Sequence, residues 1–251
     1  MIFVTGDIHG KPDRFLSLNF CQENKLSKDD YVIVCGDFGC IWTGDVYEQH
    51  RLDRLEELPF TLLFITGNHE NYDLIESYPV SEWHGGKVQF IRPHVIHLMR
   101  GQVFDIDGKT FFTMGGAECH DIWFGVQDPE DPNYYAKCIA LQMRGAFYRV
   151  KGQSWWPQEL PIADDYAEGW KNLREHGMKV DYVITHCAPQ KLQERLVPTL
   201  HHGDYPRNSL TDFLQEVSEK VQFGAWYFGH YHTNKSMKKY TVLYENILRI
   251  E

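Results

Sequence analysis

Five short segments place nitrogen and oxygen donors directly behind runs of β-prone residues. They are Gly6-Asp7-Ile8-His9-Gly10, Gly36-Asp37, Gly67-Asn68-His69-Glu70, His186-Cys187-Ala188-Pro189 and Gly229-His230-Tyr231-His232. A carboxylate and an imidazole two residues apart in extended backbone point to the same side, and flanking glycines let backbone or ligand approach closely. Asp, Asn and His so placed suit a divalent cation. Any one segment also reads as a plain turn after a strand, where Asp and Gly serve turn geometry. The set tells more than its parts, because five of the 13 histidines fall in these turns.

Such donors need strands that end together. Strands are expected over the opening run to Asp7 and His9, and over Tyr31–Cys35, Thr61–Thr66, Tyr182–Thr185 and Ala225–Phe228. Amphipathic stretches predict helices at Pro12–Cys21, Asp45–Glu57, Asp164–His176 closed by Gly177, and Ser209–Lys220. Pro12 near a helix start and Ser209 with Asp212 as a partial capping box support them. The middle differs: Val88–Leu98, Val103–Ile106 and Thr110–Met114 read as successive strands, with Asp107-Gly108 as a tight hairpin. Tyr240–Tyr244 and Ile247–Ile250 read as a final strand pair. Flanking βα units around a β-rich centre predict one α/β domain over residues 1–251, with two packed sheets. In α/β sheets ligands gather beyond the carboxyl ends of strands, where all five donor segments fall.

With 251 residues, 43% of them hydrophobic, the chain can bury a full core. Its 35 acids against 25 bases leave a net charge of −10, which argues against a general nucleic-acid or membrane-surface binder. No apolar run approaches the roughly 20 residues of a membrane span, and no secretory leader is visible. Six cysteines without a CxxC pair predict buried, reduced thiols in a cytoplasmic protein.

The ordered set D-x-H, G-D, G-N-H-E, T-H-x-x-P and G-H-x-H, running from Asp7 to His232, resembles the calcineurin-like metallophosphoesterase family. Gly115-Gly116-Ala117 and the later Ser154-Trp155-Trp156-Pro157-Gln158-Glu159 resemble its bacterial and phage members. The resemblance implies two mixed β-sheets packed as a sandwich with helices outside, in four αββα layers. It implies two divalent ions: Asp7, His9 and His232 at one, Asn68, His186 and His230 at the other, and Asp37 bridging. His69 matches the family's catalytic histidine, near the leaving-group oxygen and off the metals. Two such ions about 3.5–4 Å apart clamp an in-line phosphoryl displacement and activate the attacking water. Donors of imidazole, carboxylate and amide without thiolate leave Mn, Fe, Zn or Co open. The expected substrate is a small phosphorylated molecule or nucleotide.

The chain also departs from the pattern. Gly36-Asp37 is followed by Phe38-Gly39-Cys40-Ile41-Trp42, not by the Asp-Arg-Gly of many serine/threonine phosphatases. The acid that would orient His69 and the arginine that would grip phosphate are absent there. Glu70 or Asp73 could orient His69, and Arg149 and Arg207 could bind phosphate through a bidentate guanidinium. For either arginine the plainer alternative is a solvated surface charge. Residues 118–160 carry eight aromatic residues, Trp123 to Trp156, with an apparent insertion around Gly125–Gly145. They read as a lid over the site or, preferably, as a small satellite core. His201-His202-Gly203-Asp204 borders the pocket or forms an exposed loop, while His94, His97 and His176 serve packing or surface. Three other readings stand beside the hydrolase: a protein phosphatase, a non-catalytic scaffold on the same fold, and a nucleic-acid phosphodiesterase. The last has only Lys235, Lys238 and Lys239 as a nearby basic cluster.

Overall fold

Side-chain alternation along short strands builds the layers. The computed structural model describes residues 1–16, 20–21, 25–120, 122–200 and 205–250. In chain order its first elements are β1 (Ile2–Thr5), α1 (Asp13–Leu16), β2 (Tyr31–Val34), α2 (Val46–Glu56), β3 (Thr61–Phe64), α3 (Tyr72–Glu76), β4 (Val80–Trp83) and β5 (Gly86–Arg92). The centre holds β6 (Val95–Leu98), β7 (Gln102–Ile106), β8 (Lys109–Met114), β9 (Val126–Gln127), α4 (Tyr134–Met143), β10 (Arg149–Val150) and α5 (Ala163–Glu175). The chain finishes with β11 (Lys179–Thr185), α6 (Gln190–Leu196), α7 (Ser209–Lys220), β12 (Gln222–Phe228), β13 (Lys235–Met237), β14 (Tyr240–Val242) and β15 (Ile247–Ile250).

Phe3, Val32, Val34, Leu62 and Phe64 point to an outer core shared with Phe15 of α1 and Leu52 and Leu55 of α2. Their alternates Ile2, Val4, Ile33 and Leu63 face Phe104, Phe111, Ile184 and Tyr227 of the other sheet. That second sheet packs Phe112, Val183, Trp226 and Phe228 outward on α5 and α7. A strand buried on both faces must be largely apolar, as Ile2–Val4, Val32–Val34, Leu62–Phe64, Val183–Ile184 and Trp226–Phe228 are. The result is helix, sheet, sheet, helix. One sheet has seven strands, ordered β15-β1-β2-β3-β6-β5-β4; the other has six, β13-β14-β12-β11-β8-β7.

Parallel pairing sets the site. Thr5 lies beside Val34 and Val34 beside Phe64, so β1, β2 and β3 end level. In the facing sheet β11 and β12 run parallel, Ile184 beside Tyr227. The five donor segments follow these five ends.

Local chemistry explains most boundaries. The Asp45 side chain accepts from Glu48 N at 2.9 Å and starts α2. Asp107 and Gly108 both have positive φ, 53° and 70°, closing β7 onto β8 as the primed turn requires. Three expectations need correction. Val88–Leu98 is two antiparallel strands, β5 and β6, because Pro93 has no N–H to continue a ladder. α7 is capped by Asn208 with Thr211 three residues on, not by Ser209 with Asp212. The last two runs do not pair: β14 joins β12 and β13, whereas β15 joins β1 in the other sheet. Buried Leu243 sits in the inter-sheet core at that crossing. Of the helix expected over Pro12–Cys21, residues 13–16 and 20–21 are helical and 17–19 lie outside the described residues.

The satellite core expected in 118–160 does not form. Trp123, Phe124, Tyr135 and Phe147 are 72%, 50%, 79% and 50% exposed. Trp156 alone of these aromatic residues is buried, its Nε1 donating to Asp73 at 2.8 Å and its ring edge-on to Trp42. The short β9–β10 pair and α4 offer too little second layer to cover the rest.

Candidate metal centre

The donors are aimed by the loops, not by the strands. β1 ends at Thr5, so Asp7 and His9 do not share a face by extended-strand alternation, as the sequence pattern suggested. His9, Asp37, His230 and His232 instead have φ of 46°, 47°, 70° and 45°. Left-handed backbone costs a residue with a side chain on the order of 1–3 kcal/mol, and here it recurs at four of the seven expected metal ligands.

What holds the strain is a lattice of backbone bonds. Asp37 O accepts from Ile8 N and His9 N at 3.1 and 2.9 Å. Glu70, fully buried, accepts from Phe38 N at 2.7 Å and Gly39 N at 3.0 Å. His230 N donates to Asp7 Oδ1 at 3.0 Å, tying the chain's two ends across the sheets. Two glycines admit the carboxylates: a Cβ at Gly67 would stand 2.1 Å from Asp37 Oδ1, and one at Gly229 2.1 Å from Asp7 Oδ1.

The resulting geometry has two halves. Asp7, His9, Asp37 and His232 offer ligand atoms all within 4.8 Å of one another. His232 Nε2 lies 3.2 Å and His9 Nε2 3.8 Å from Asp7 Oδ2. On the other side His186 Nε2 is 3.2 Å from Asp37 Oδ1, and the His186 and His230 rings are 5.0 Å apart. Asp37 turns its second oxygen, Oδ2, to His9 Nδ1 at 3.8 Å. One carboxylate therefore faces both halves. Asn68 is buried with neither Nδ2 nor Oδ1 hydrogen-bonded, and His186 Nε2 likewise has no hydrogen-bond partner. His186 Nδ1 is bonded to the Cys35 carbonyl at 2.7 Å, which keeps a proton on Nδ1 and makes the inward-facing Nε2 the atom that offers a lone pair once the ring is neutral. Buried polar atoms are rarely left unsatisfied, so these residues fit a cation pair well.

The charges agree. Burial opposes the Asp37 carboxylate, yet the imidazoles of His186, His69 and His9 outweigh it and hold it well below the usual range. Burial alone would pull His186 down, but Asp37 holds it up to about 9. The bond to Asp7 raises His232 against desolvation. Desolvation lowers His9, and lowers His230 further, with His186 and His120 adding to the latter.

Six of the expected ligands are thus brought together, the buried Asn68 follows Gly67, which packs against Asp37 and His186, and His69 lies beside them. Its backbone N donates to Asp37 Oδ1 at 2.8 Å and its ring lies 5.1 Å from that of His9. Neither candidate orienting acid serves it: Glu70 braces the loop after β2, and Asp73 accepts from Trp156. Arg207 is exposed and donates to Asp212 at 2.8 Å, while the Arg149 guanidinium lies over Phe147. His201 to Asp204 lie outside the described residues.

Sequence reading missed several neighbours. Arg14 donates to the Asp7 carbonyl at 2.8 Å, to Thr5 Oγ1 at 2.9 Å and to the Tyr244 carbonyl. Tyr244 stacks on His232 at 4.8 Å, and His120 and Tyr205 each pack 5.2 Å from His230. No local motif marks these residues; only the fold joins them. A cavity of about 460 Å³ opens beside Asp7 and His9, lined also by Lys11, Arg14, Tyr244 and Glu245. A family model described as calcineurin-like phosphoesterase matches residues 1–234. No curated protein matches the chain.

Proposed function

The chain belongs to the calcineurin-like phosphoesterase family, and from that premise we propose that it hydrolyses a small phosphorylated molecule, such as a nucleotide, at two divalent ions. It is a metal-dependent phosphoesterase; the substrate class and the residue roles are the proposal. Asp7, His9 and His232 would hold one ion, Asn68, His186 and His230 the other, and Asp37 would serve both. The observation that carries this is Asp37 itself, one oxygen toward His186 and the other toward His9. When bound, such ions would neutralise phosphate charge and acidify a water.

The chain's own residues do the rest. His69, half-buried at the rim, donates a proton to the departing oxygen. Arg14 is committed to three protein oxygens and holds Asp7 in place. Among the described residues lining the cavity, exposed Lys11 is the cation that would meet the phosphate. Arg149 and Arg207, with partners of their own, are the weaker candidates for that role. The ligand set, N and O without sulfur, suits Mn, Fe, Zn or Co. A small substrate is favoured over a nucleic acid by the net charge of −10 and by Lys239, whose Nζ is taken up by the Phe223 carbonyl at 2.9 Å. A scaffold would have no need of strained, matched donors. Among the described residues no helix is long and apolar enough to cross a membrane. None of the six cysteines is in a disulfide and five are buried, which supports placing the protein in the reducing cytoplasm.

The test is metal content together with phosphate release from nucleotides, cyclic nucleotides and phosphopeptides after Mn reconstitution. Turnover of nucleotides with two bound ions, both lost in Asp37→Asn, is expected. Full turnover in Asp37→Asn would refute the bridge, and turnover confined to phosphopeptides would replace the substrate assignment.

A further inference from the structure

Helix α4 is apolar on two faces and packs with one. On its inner side Cys138 is buried and Tyr134 and Leu141 are half-buried. Tyr135, Ala136, Ile139, Ala140 and Met143 form an outer stripe, which at 3.6 residues per turn spans about 140° of the helix. Tyr135, Ile139 and Met143 are 79%, 56% and 84% exposed. Lys137 is the one charged residue from Tyr134 to Met143. A helix so patterned is one that is covered on both sides.

Aromatic residues flank the stripe. Phe147 follows Met143 by four residues, where the chain turns back and Ala146 N donates to the Leu141 carbonyl at 3.0 Å. Val126 pairs with Arg149, so the loops that carry Phe124 and Phe147 run side by side. Trp123, Phe124 and Phe147 are 72%, 50% and 50% exposed. With Tyr135, these rings leave on the order of 500 Å² in water. Ile139 and Met143 carry the total toward the roughly 800 Å² that each side of a stable interface buries. A monomer seldom leaves so much apolar surface uncovered.

We propose that this face pairs two copies of the chain about a two-fold axis at Ile139. The stripe is palindromic, with Tyr135 and Met143 each four residues from Ile139. Set antiparallel, Ile139 meets Ile139 of the partner subunit and Tyr135 meets Met143 of the partner subunit, a favourable sulfur–ring contact. Charge favours the same occupant. Residues 122–155 hold three acids and four bases, so the −10 of the whole chain lies elsewhere and two copies meet here without strong repulsion. A lipid surface would call on basic residues, yet Lys137 is paired with Asp131 and Lys151 with Asp128. The segment is rooted beside the metal centre, His120 packing 5.2 Å from His230 at one flank and Trp156 donating to Asp73 at the other, so pairing would hold it there.

The experiment is sedimentation equilibrium on the full chain without added metal, at up to about 100 µM. The mass of two chains is expected. Ile139→Glu sets like charges against each other at the axis and should weaken association by about a hundredfold or more. Ile139→Lys should do the same, and mixing the two variants should restore the pair, since residue 139 then meets its opposite. Both side chains suit an exposed helix position; should either variant fold poorly, Tyr135→Glu, at a residue 79% exposed, decides. A wild-type chain that stays monomeric would overturn the proposal and leave the face to a different protein. A monomer that floats with phosphatidylcholine vesicles would overturn it in favour of a lipid surface. A dimer unmoved by Ile139→Glu, or variants that stay apart when mixed, would overturn it as well. Because the readout needs neither ions nor turnover, its failure leaves the phosphoesterase reading untouched.

Discussion

Replacing Gly67 with alanine probes the metal centre where it is tightest. The added Cβ would stand 2.1 Å from Asp37 Oδ1, 2.5 Å from Asp37 N and 2.7 Å from His186 Nε2. Non-bonded heavy atoms prefer about 3.5 Å or more, so the carboxylate or the loop must retreat by roughly 1 Å. Metal–ligand distances tolerate about 0.2 Å. Nor can the neighbours yield freely: His186 is pinned to the Cys35 carbonyl at 2.7 Å, and Asp37 Oδ1 to His69 N at 2.8 Å. Displacing the shared ligand should weaken Mn binding by about a hundredfold, or about 2.7 kcal/mol, and turnover should fall with it. Overpacking adds a fold penalty of about 1–3 kcal/mol. The assay is Mn content after equilibrium dialysis, with a thermal melt to separate unfolding from metal loss. Gly44→Ala is the control for a fold penalty without displaced donors: at φ 68° it is strained, but its Cβ meets only Leu74 methyl groups at 3.6 and 3.7 Å, so it should melt earlier and keep its Mn. A folded Gly67→Ala protein that keeps two ions at nearly wild-type affinity would refute the placement of Asp37 and His186.

Other outcomes follow from the same geometry. His69→Ala should lower turnover by about 10²–10⁴-fold while Mn content is unchanged, since its contact to the centre runs through the backbone N–H; equal loss of both would make His69 a ligand. Metal uptake should release protons, because His186 is held up to about 9 and His232 is raised, and a ligand must shed its proton; calorimetry in two buffers of different ionisation enthalpy reads this. Without metal the folded chain keeps the His186 proton above the ordinary value of 6.5. Its contribution to stability is therefore full below about 6.5 and lost as the pH rises through about 9, whereas Mn-loaded protein should gain stability over that range. Glu70→Gln leaves one acceptor oxygen where three backbone N–H groups now bond two, at 2.7, 3.0 and 3.4 Å. It should cost about 1–3 kcal/mol in a denaturant melt and loosen Mn binding through the Phe38–Gly39 loop.

The kind of donor, its place in the chain and the strand before it were all legible in the sequence. Gly-Asp, Gly-Asn-His and Gly-His-x-His are local patterns, and ligand chemistry belongs to side-chain type. A helix beginning near Asp45 and Asp107-Gly108 as a turn were legible for the same reason, since each signal acts within a few residues. Capping at α7 was misjudged by one residue because Asn, Ser, Thr and Asp stand close together there and only backbone geometry chooses among them.

Tertiary structure decided the rest. The bond between His9 and His232 spans 223 residues of chain, and no pattern along the sequence encodes that distance. It settled that Asp37 faces both halves, that Glu70 and Arg14 brace the loops, and that of the rings of 118–160 Trp156 alone is buried. It also replaced strand alternation with left-handed backbone at His9, Asp37, His230 and His232. A donor's chemistry is carried by its own atoms, but its direction depends on what the surrounding core will hold, and that core is assembled from both ends of the chain.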